Sequence, residues 1–209
     1  MNVGKALSLP LVEGNLVKVI IGAVLNLIPI VNFLCLGYFI EVMANAFREK
    51  HEMPAWENWG DKFVKGMVVL VISFVYMLIP AIILGIGGGI DSALSSDLSG
   101  ASLLGLLCLP AVWFILPMAL AHYAATGGFS RAFSLGTVFT YIGAAFGSYL
   151  GAYLFSIVLF IGLMLLNVIP VIGWLICIFG GFYAGCVLAF LFGEAYRKAV
   201  AAKSAGIEA

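Results

Sequence analysis

Six apolar stretches, each about as long as a membrane is thick, set the terms on which this chain folds. At roughly 20 apolar residues per crossing helix, the sequence divides into segments 7–28, 31–47, 66–86, 102–124, 138–169 and 171–196. Backbone polar groups find no water inside lipid, so each segment must satisfy them internally as a helix. Of the 209 residues, 10% are charged and 64% hydrophobic, whereas about a quarter of a soluble domain is charged. The expectation is an all-α integral membrane protein, a single transmembrane domain over residues 1–209 with about six hydrophobic helices. Lys18 interrupts the first segment and Pro29 ends it. Segments 7–28 and 31–47 therefore either cross fully or dip in as a re-entrant hairpin. Glu13, Asn15 and Lys18 also argue against a cleaved signal peptide, so the N-terminus is expected to be retained.

The cations fix an orientation. Lys5, Lys18, Arg48, Lys50, Lys62, Lys65, Arg131, Arg197, Lys198 and Lys203 all fall on one side of a six-span arrangement, while Asp91 and Asp97 are the charges left on the other. By the positive-inside rule the cation-bearing side is cytoplasmic, and both termini lie there. Such segregation also favours an even number of crossings. The net charge is zero, which leaves no basic footprint for nucleic acid.

An internal repeat is visible in the first and last hairpins. Residues 28–34 around Pro29 match residues 169–175 around Pro170, and the following helices end Asn45-Ala46-Phe47-Arg48 and Glu194-Ala195-Tyr196-Arg197. Upstream, Lys5-Ala6-Leu7-Ser8-Leu9 resembles Arg131-Ala132-Phe133-Ser134-Leu135. The order reads as a parallel duplication of a Pro-turn helical hairpin, against the alternative that Pro turns in membrane hairpins look alike by chance.

Between the second and third segments, Trp56, Trp59 and Phe63 recur at i, i+3 and i+7. That spacing puts the rings on one face of a short amphipathic helix over 54–65. Tryptophan favours the headgroup level, so the rings are expected to anchor the segment along the membrane surface, with a protein docking site as the sharper alternative. Membrane helices associate through close approach at small residues. Gly143, Gly147 and Gly151 in the fifth segment, and Gly181, Gly185, Ala189 and Gly193 in the sixth, form two ridges at four-residue spacing. The two ridges are expected to meet across the last hairpin, or to serve a contact between subunits.

Little in the chain points to catalysis. The four cysteines (Cys35, Cys108, Cys177, Cys186) sit in apolar runs without CxxC spacing, and His51 and His122 are far apart, so no metal site or other cofactor is called for. Gly87-Gly88-Gly89 lacks the Lys and Ser/Thr of a phosphate loop. Charges inside a membrane are the default functional suspects. Lys18 and Glu41 lie at similar depths on antiparallel segments when measured from Pro29, so they are expected to form an intramembrane ion pair. Pro80, Pro110 and Pro117 interrupt the third and fourth segments and are expected to kink them.

Two stretches carry a resemblance: Met53-Pro54-Ala55-Trp56-Glu57-Asn58-Trp59-Gly60-Asp61-Lys62-Phe63-Val64-Lys65-Gly66 before Ile79-Pro80, and Ala124-Ala125-Thr126-Gly127-Gly128-Phe129-Ser130-Arg131-Ala132-Phe133. With Leu36-Gly37-Tyr38, they resemble the prokaryotic membrane family called domain of unknown function 4013 over nearly the whole chain. The resemblance implies a multi-pass protein of a bacterial or archaeal plasma membrane and brings no activity, ligand or catalytic residue. The expected function is a noncatalytic accessory or structural component of a membrane complex or envelope. Its expected partners are membrane lipid and either other membrane subunits or further copies of itself. A small transporter or channel is the alternative, which calls for a polar cavity reached by Lys18, Glu41, Asn26 or Tyr76. A lipid-acting enzyme is a third class, which calls for His122 or His51 beside a carboxylate.

Overall fold

The computed structural model describes residues 2–87, 100–169 and 172–206, and every regular element among them is helical. A short α1 (Val3–Ser8) runs through a 3-10 turn (Leu9–Leu11) to Gly14, which takes a left-handed φ of 82°. That backbone turn, open to Gly at little steric penalty, bends the chain by 83° into α2 (Asn15–Asn26). Then come α3 (Phe33–Phe47), α4 (Trp59–Ile86) and α5 (Gly100–Thr126). A 3-10 turn (Phe129–Phe133) leads to α6 (Leu135–Ala144), α7 (Phe146–Leu166) and α8 (Ile172–Ser204).

Four of these helices, α4, α5, α7 and α8, are long and apolar enough to cross a membrane, and the bent pair α1–α2 makes a fifth if taken as one span. Six crossing helices are not shown among the described residues. With 12 residues in α2 and 15 in α3, those helices rise only about 18 and 22 Å, short of a hydrocarbon core of about 30 Å. The expected span 138–169 is also broken at Ala145, whose φ of −124° and ψ of 30° separate α6 from α7. The second Pro turn of the expected repeat, at Pro170 and Val171, lies outside the described residues, as do Asp91 and Asp97.

The core is organised around α8. From Phe182 to Ala199 its buried positions run almost all the way round, including Cys186, Val187, Leu191 and Tyr196. A helix apolar on every side belongs at the centre of a bundle, and α2, α3, α5, α6 and α7 all pack against it. The α7 contact includes Tyr149, whose ring centre is 5.6 Å from that of Phe192.

Small residues act elsewhere than the two ridges suggest. A methyl group added at Gly185 would overlap the Phe39 ring, and one at Gly193 the Met43 carbonyl and Ala46, so with the buried Ala189 this face of α8 receives α3 and not α7. Gly143, Gly147 and Gly181 have open space where a Cβ would stand. The inward stripe of α7 is Tyr149, Ala152 and Ser156, and at about 100° per residue Gly147 lies on the far side of the helix from Tyr149. Gly151, next to the buried Ala152, is itself half-buried.

Candidate functional site

The charged side chains of α3 and α4 come together through a crossing of two backbones. Gly37 of α3 faces the Lys62 carbonyl and Gly66 of α4 faces the Phe33 carbonyl, so closely that a Cβ on either glycine would overlap the opposing oxygen. Main chains approach this near only where side chains are absent. One helical turn beyond Gly37 stands Glu41, and one turn before Gly66 stands Lys62. The crossing therefore delivers a carboxylate and ammonium groups to the same place. Lys62 Nζ lies 2.8 Å from Glu41 Oε2, and Lys65 Nζ lies 3.0 Å from Glu41 Oε1 and 2.6 Å from Asp61 Oδ2. Only 4% of the Lys62 side chain is exposed, and its ammonium also donates to the Glu57 carbonyl at 2.7 Å.

The expected pairing of Glu41 with Lys18 is thereby corrected. Lys18 Nζ donates to the Met53 carbonyl at 2.8 Å. The reason is rotational. Cys35 marks the face of α3 that meets α2, where its thiol donates to the Gly22 carbonyl, and Glu41 sits about 120° around the helix from Cys35, facing α4.

The tryptophan segment is also corrected, since residues 54–58 are not helical and α4 starts at Trp59. Trp56 turns inward and stacks on Tyr38 at 4.4 Å with 19° between the planes, and its Nε1 donates to the Lys18 carbonyl at 2.9 Å. Tyr38 in turn donates to the Pro54 carbonyl at 2.9 Å. A half-buried indole with its N–H satisfied is more stable there than a ring lying at the surface. Asn58, with a left-handed φ of 50°, re-aims the chain into α4. Phe63 meets Phe33 edge-on at 6.0 Å, while Trp59 stays 45% exposed. Trp56 and Trp59 keep their rings 5.7 Å apart, while Phe63 serves a separate contact.

A cavity of about 480 Å³ opens beside this cluster, lined by Glu41, Asn45, Arg48, Asp61, Lys65 and the end of α5 at Ala124 to Gly127. An apolar cleft of about 320 Å³ lies between α3, α5, α7 and α8, bordered by Phe39, Met43, Trp113, Pro117, Phe160 and Gly185. Ile40 borders both. Other polar groups also tie elements of the bundle together. Arg197 pairs with Glu49, Lys198 lies 3.6 Å from Glu194, and Tyr76 donates to the Ala132 carbonyl at 2.6 Å. His122 and the Tyr196 hydroxyl share a hydrogen bond of 2.7 Å in the core, with the Tyr141 ring 5.1 Å from that of Tyr196. His122 thus meets a tyrosine and not a carboxylate. His51 packs against Phe190 at 5.6 Å. Among the described residues, no group of three or more His, Cys, Asp or Glu is placed to hold a metal ion.

Sequence reasoning missed Lys62 and Lys65 as partners of Glu41, the crossing glycines that bring them there, and Arg48 in the wall of the adjoining cavity. The available signal was the four-residue offset of Glu41 from Gly37 and of Lys62 from Gly66, which only the pairing of α3 with α4 makes meaningful.

No curated protein and no solved structure matches the chain. A family model does, over residues 21–193, under the description "Protein of unknown function (DUF4013)". The match takes in the glycine crossing, the Glu41 cluster and both cavities. By that coverage, the chain belongs to the DUF4013 family.

Proposed function

We propose that the chain is a multi-pass membrane protein acting as a noncatalytic component of a membrane complex or envelope, in the plasma membrane of a prokaryote. The observation that carries this reading is the outer surface of the long helices. Phe74 is 63% exposed, Val158 67% and Met164 76%, amid many other half-exposed aliphatic and aromatic side chains on α4, α5, α7 and α8. A continuous apolar surface of this extent is stable only against lipid or another apolar surface. In the proposed arrangement α4, α5, α7 and α8 cross, and α2–α3 enters as a hairpin from the charged side. Both termini and the Glu41 cluster then face the cytoplasm, in keeping with the positive-inside rule. Several described polar groups inside the bundle tie one helix to another, among them Lys62 with Glu41, Tyr149 with the Phe114 carbonyl and His122 with Tyr196, which supports a structural role over chemistry.

Crosslinking in the native host, followed by purification in mild detergent and mass spectrometry, tests the role. The expected result is a second membrane protein at fixed stoichiometry. Recovery of the chain alone, or with copies of itself, would contradict the accessory role and favour a small transporter. That second reading is supported by the placement of Glu41 in a polar cavity, and flux into liposomes would then be compared between wild type and Glu41→Gln.

A further inference from the structure

We propose that the charged cavity and the apolar cleft together bind one phospholipid, with its phosphate at Arg48 and an acyl chain between α3 and α5. This rests on the membrane-embedded reading above.

Charge points to an anion. In the cavity wall, Lys65 is shared between Glu41 and Asp61, and the buried Lys62, behind the wall, completes the shell of Glu41. The two carboxylates of the wall are thus held by two lysines, and Arg48, the other cation of the wall, enters no ion pair among the described residues. A guanidinium presents the forked donors that match phosphate oxygens.

Continuity points to an attached chain. Ile40 borders both spaces, and on α5 the cleft residue Leu120 is one turn from the cavity residue Ala124. The cleft is walled almost wholly by apolar side chains, and Trp113 and Phe160 at its border are 57% and 54% exposed on the outer apolar surface. It therefore opens sideways towards lipid. Length agrees as well. From Trp113 to Thr126 the α5 axis rises about 20 Å, which matches one leaflet, half of a bilayer about 40–45 Å thick with its headgroups. The polar end of the site falls where a headgroup belongs.

The test uses full-length protein extracted from membranes, stripped of lipid in detergent and titrated by native mass spectrometry. The probes are dioleoylphosphatidylglycerol, dioleoylglycerol without the phosphate, and inorganic phosphate without the chains. The expected result is one phosphatidylglycerol per chain, with both partial ligands at least about tenfold weaker, as loss of a charged hydrogen bond or of buried apolar area produces. Arg48→Gln should weaken phosphatidylglycerol about tenfold, and Leu120→Trp, which fills the cleft, should abolish its binding. An unchanged unfolding midpoint serves as the control for each, and Leu120→Phe replaces a Leu120→Trp variant that fails it. Phosphate binding as tightly as the lipid would overturn the proposal in favour of a free-anion site. Lipid binding indifferent to both substitutions would overturn it in favour of unspecific boundary lipid. A protein recovered in the soluble fraction before extraction would instead refute the membrane reading, a result distinct from either.

Discussion

Replacing Gly66 by alanine is expected to leave little folded protein, with a loss exceeding about 3 kcal/mol. Most insertions of a methyl group into a packed core are relieved by shifts of neighbouring side chains and lose about 1–3 kcal/mol. Here the obstacle is the Phe33 carbonyl, main chain held in α3, and the Gly37 amide is next in line. The helices would have to move apart, which also separates Glu41 from Lys62. Gly37→Ala meets the Lys62 carbonyl at the same crossing, so the double variant should lose much less than the sum of the two, as sites sharing one contact do. Gly85 and Gly60 lie in the same helix, and a methyl group on either would have nothing within 4 Å of it. Alanine there is expected to be neutral or stabilising by up to about 1 kcal/mol. Unfolding of purified protein in mild detergent, followed by circular dichroism, reads all four. Equal tolerance at Gly66 and Gly85 would contradict the crossing.

The second large effect concerns the carboxylate. Glu41→Gln keeps the shape of the side chain and removes its charge, leaving Lys62 in a site where 4% of it is exposed. Removing one partner of a buried ion pair loses about 3–5 kcal/mol, because the remaining charge is uncompensated. Lys62 keeps the Glu57 carbonyl and Lys65 keeps Asp61, so the expected loss is at the lower end, about 3 kcal/mol. Lys62→Met should be milder, since Glu41 retains Lys65. The double variant, Glu41→Gln with Lys62→Met, should recover part of the loss, with a coupling of about 1–3 kcal/mol between the two sites. Additive effects in the same unfolding assay would mean that the pair does not act as a unit.

These two sites show where sequence and structure part company. Segments 66–86 and 102–124 fall inside α4 and α5, because a long apolar run without charges has one way to satisfy its backbone in lipid. The choice of Glu41 as the carboxylate of interest was also legible. Its partner was not, because equal depth on neighbouring segments says nothing about which face each residue presents, and α3 turns Glu41 towards α4. The rings of Trp56, Trp59 and Phe63 fit a helical period, yet Trp56 is claimed by Tyr38, 18 positions earlier, through a stacking contact that periodicity cannot report. Glycines in series drew notice as ridges, while the two that permit backbone contact, Gly37 and Gly66, each stand without a neighbour at four-residue spacing that would mark them. The pairing of His122 with Tyr196, 74 positions apart, carried no local signal at all.

The central claim is that the long apolar helices cross a membrane with the charged end of the bundle inside the cell. Single cysteines introduced as Lys50→Cys, Asp97→Cys and Lys203→Cys test it most directly, with a membrane-impermeant maleimide applied to intact cells and to opened ones, and wild-type labelling by the four native cysteines subtracted. Position 97 is expected to react in intact cells, while positions 50 and 203 react only after the cells are opened. Protection of all three positions together, or equal reaction of all three in intact cells, would contradict the claim.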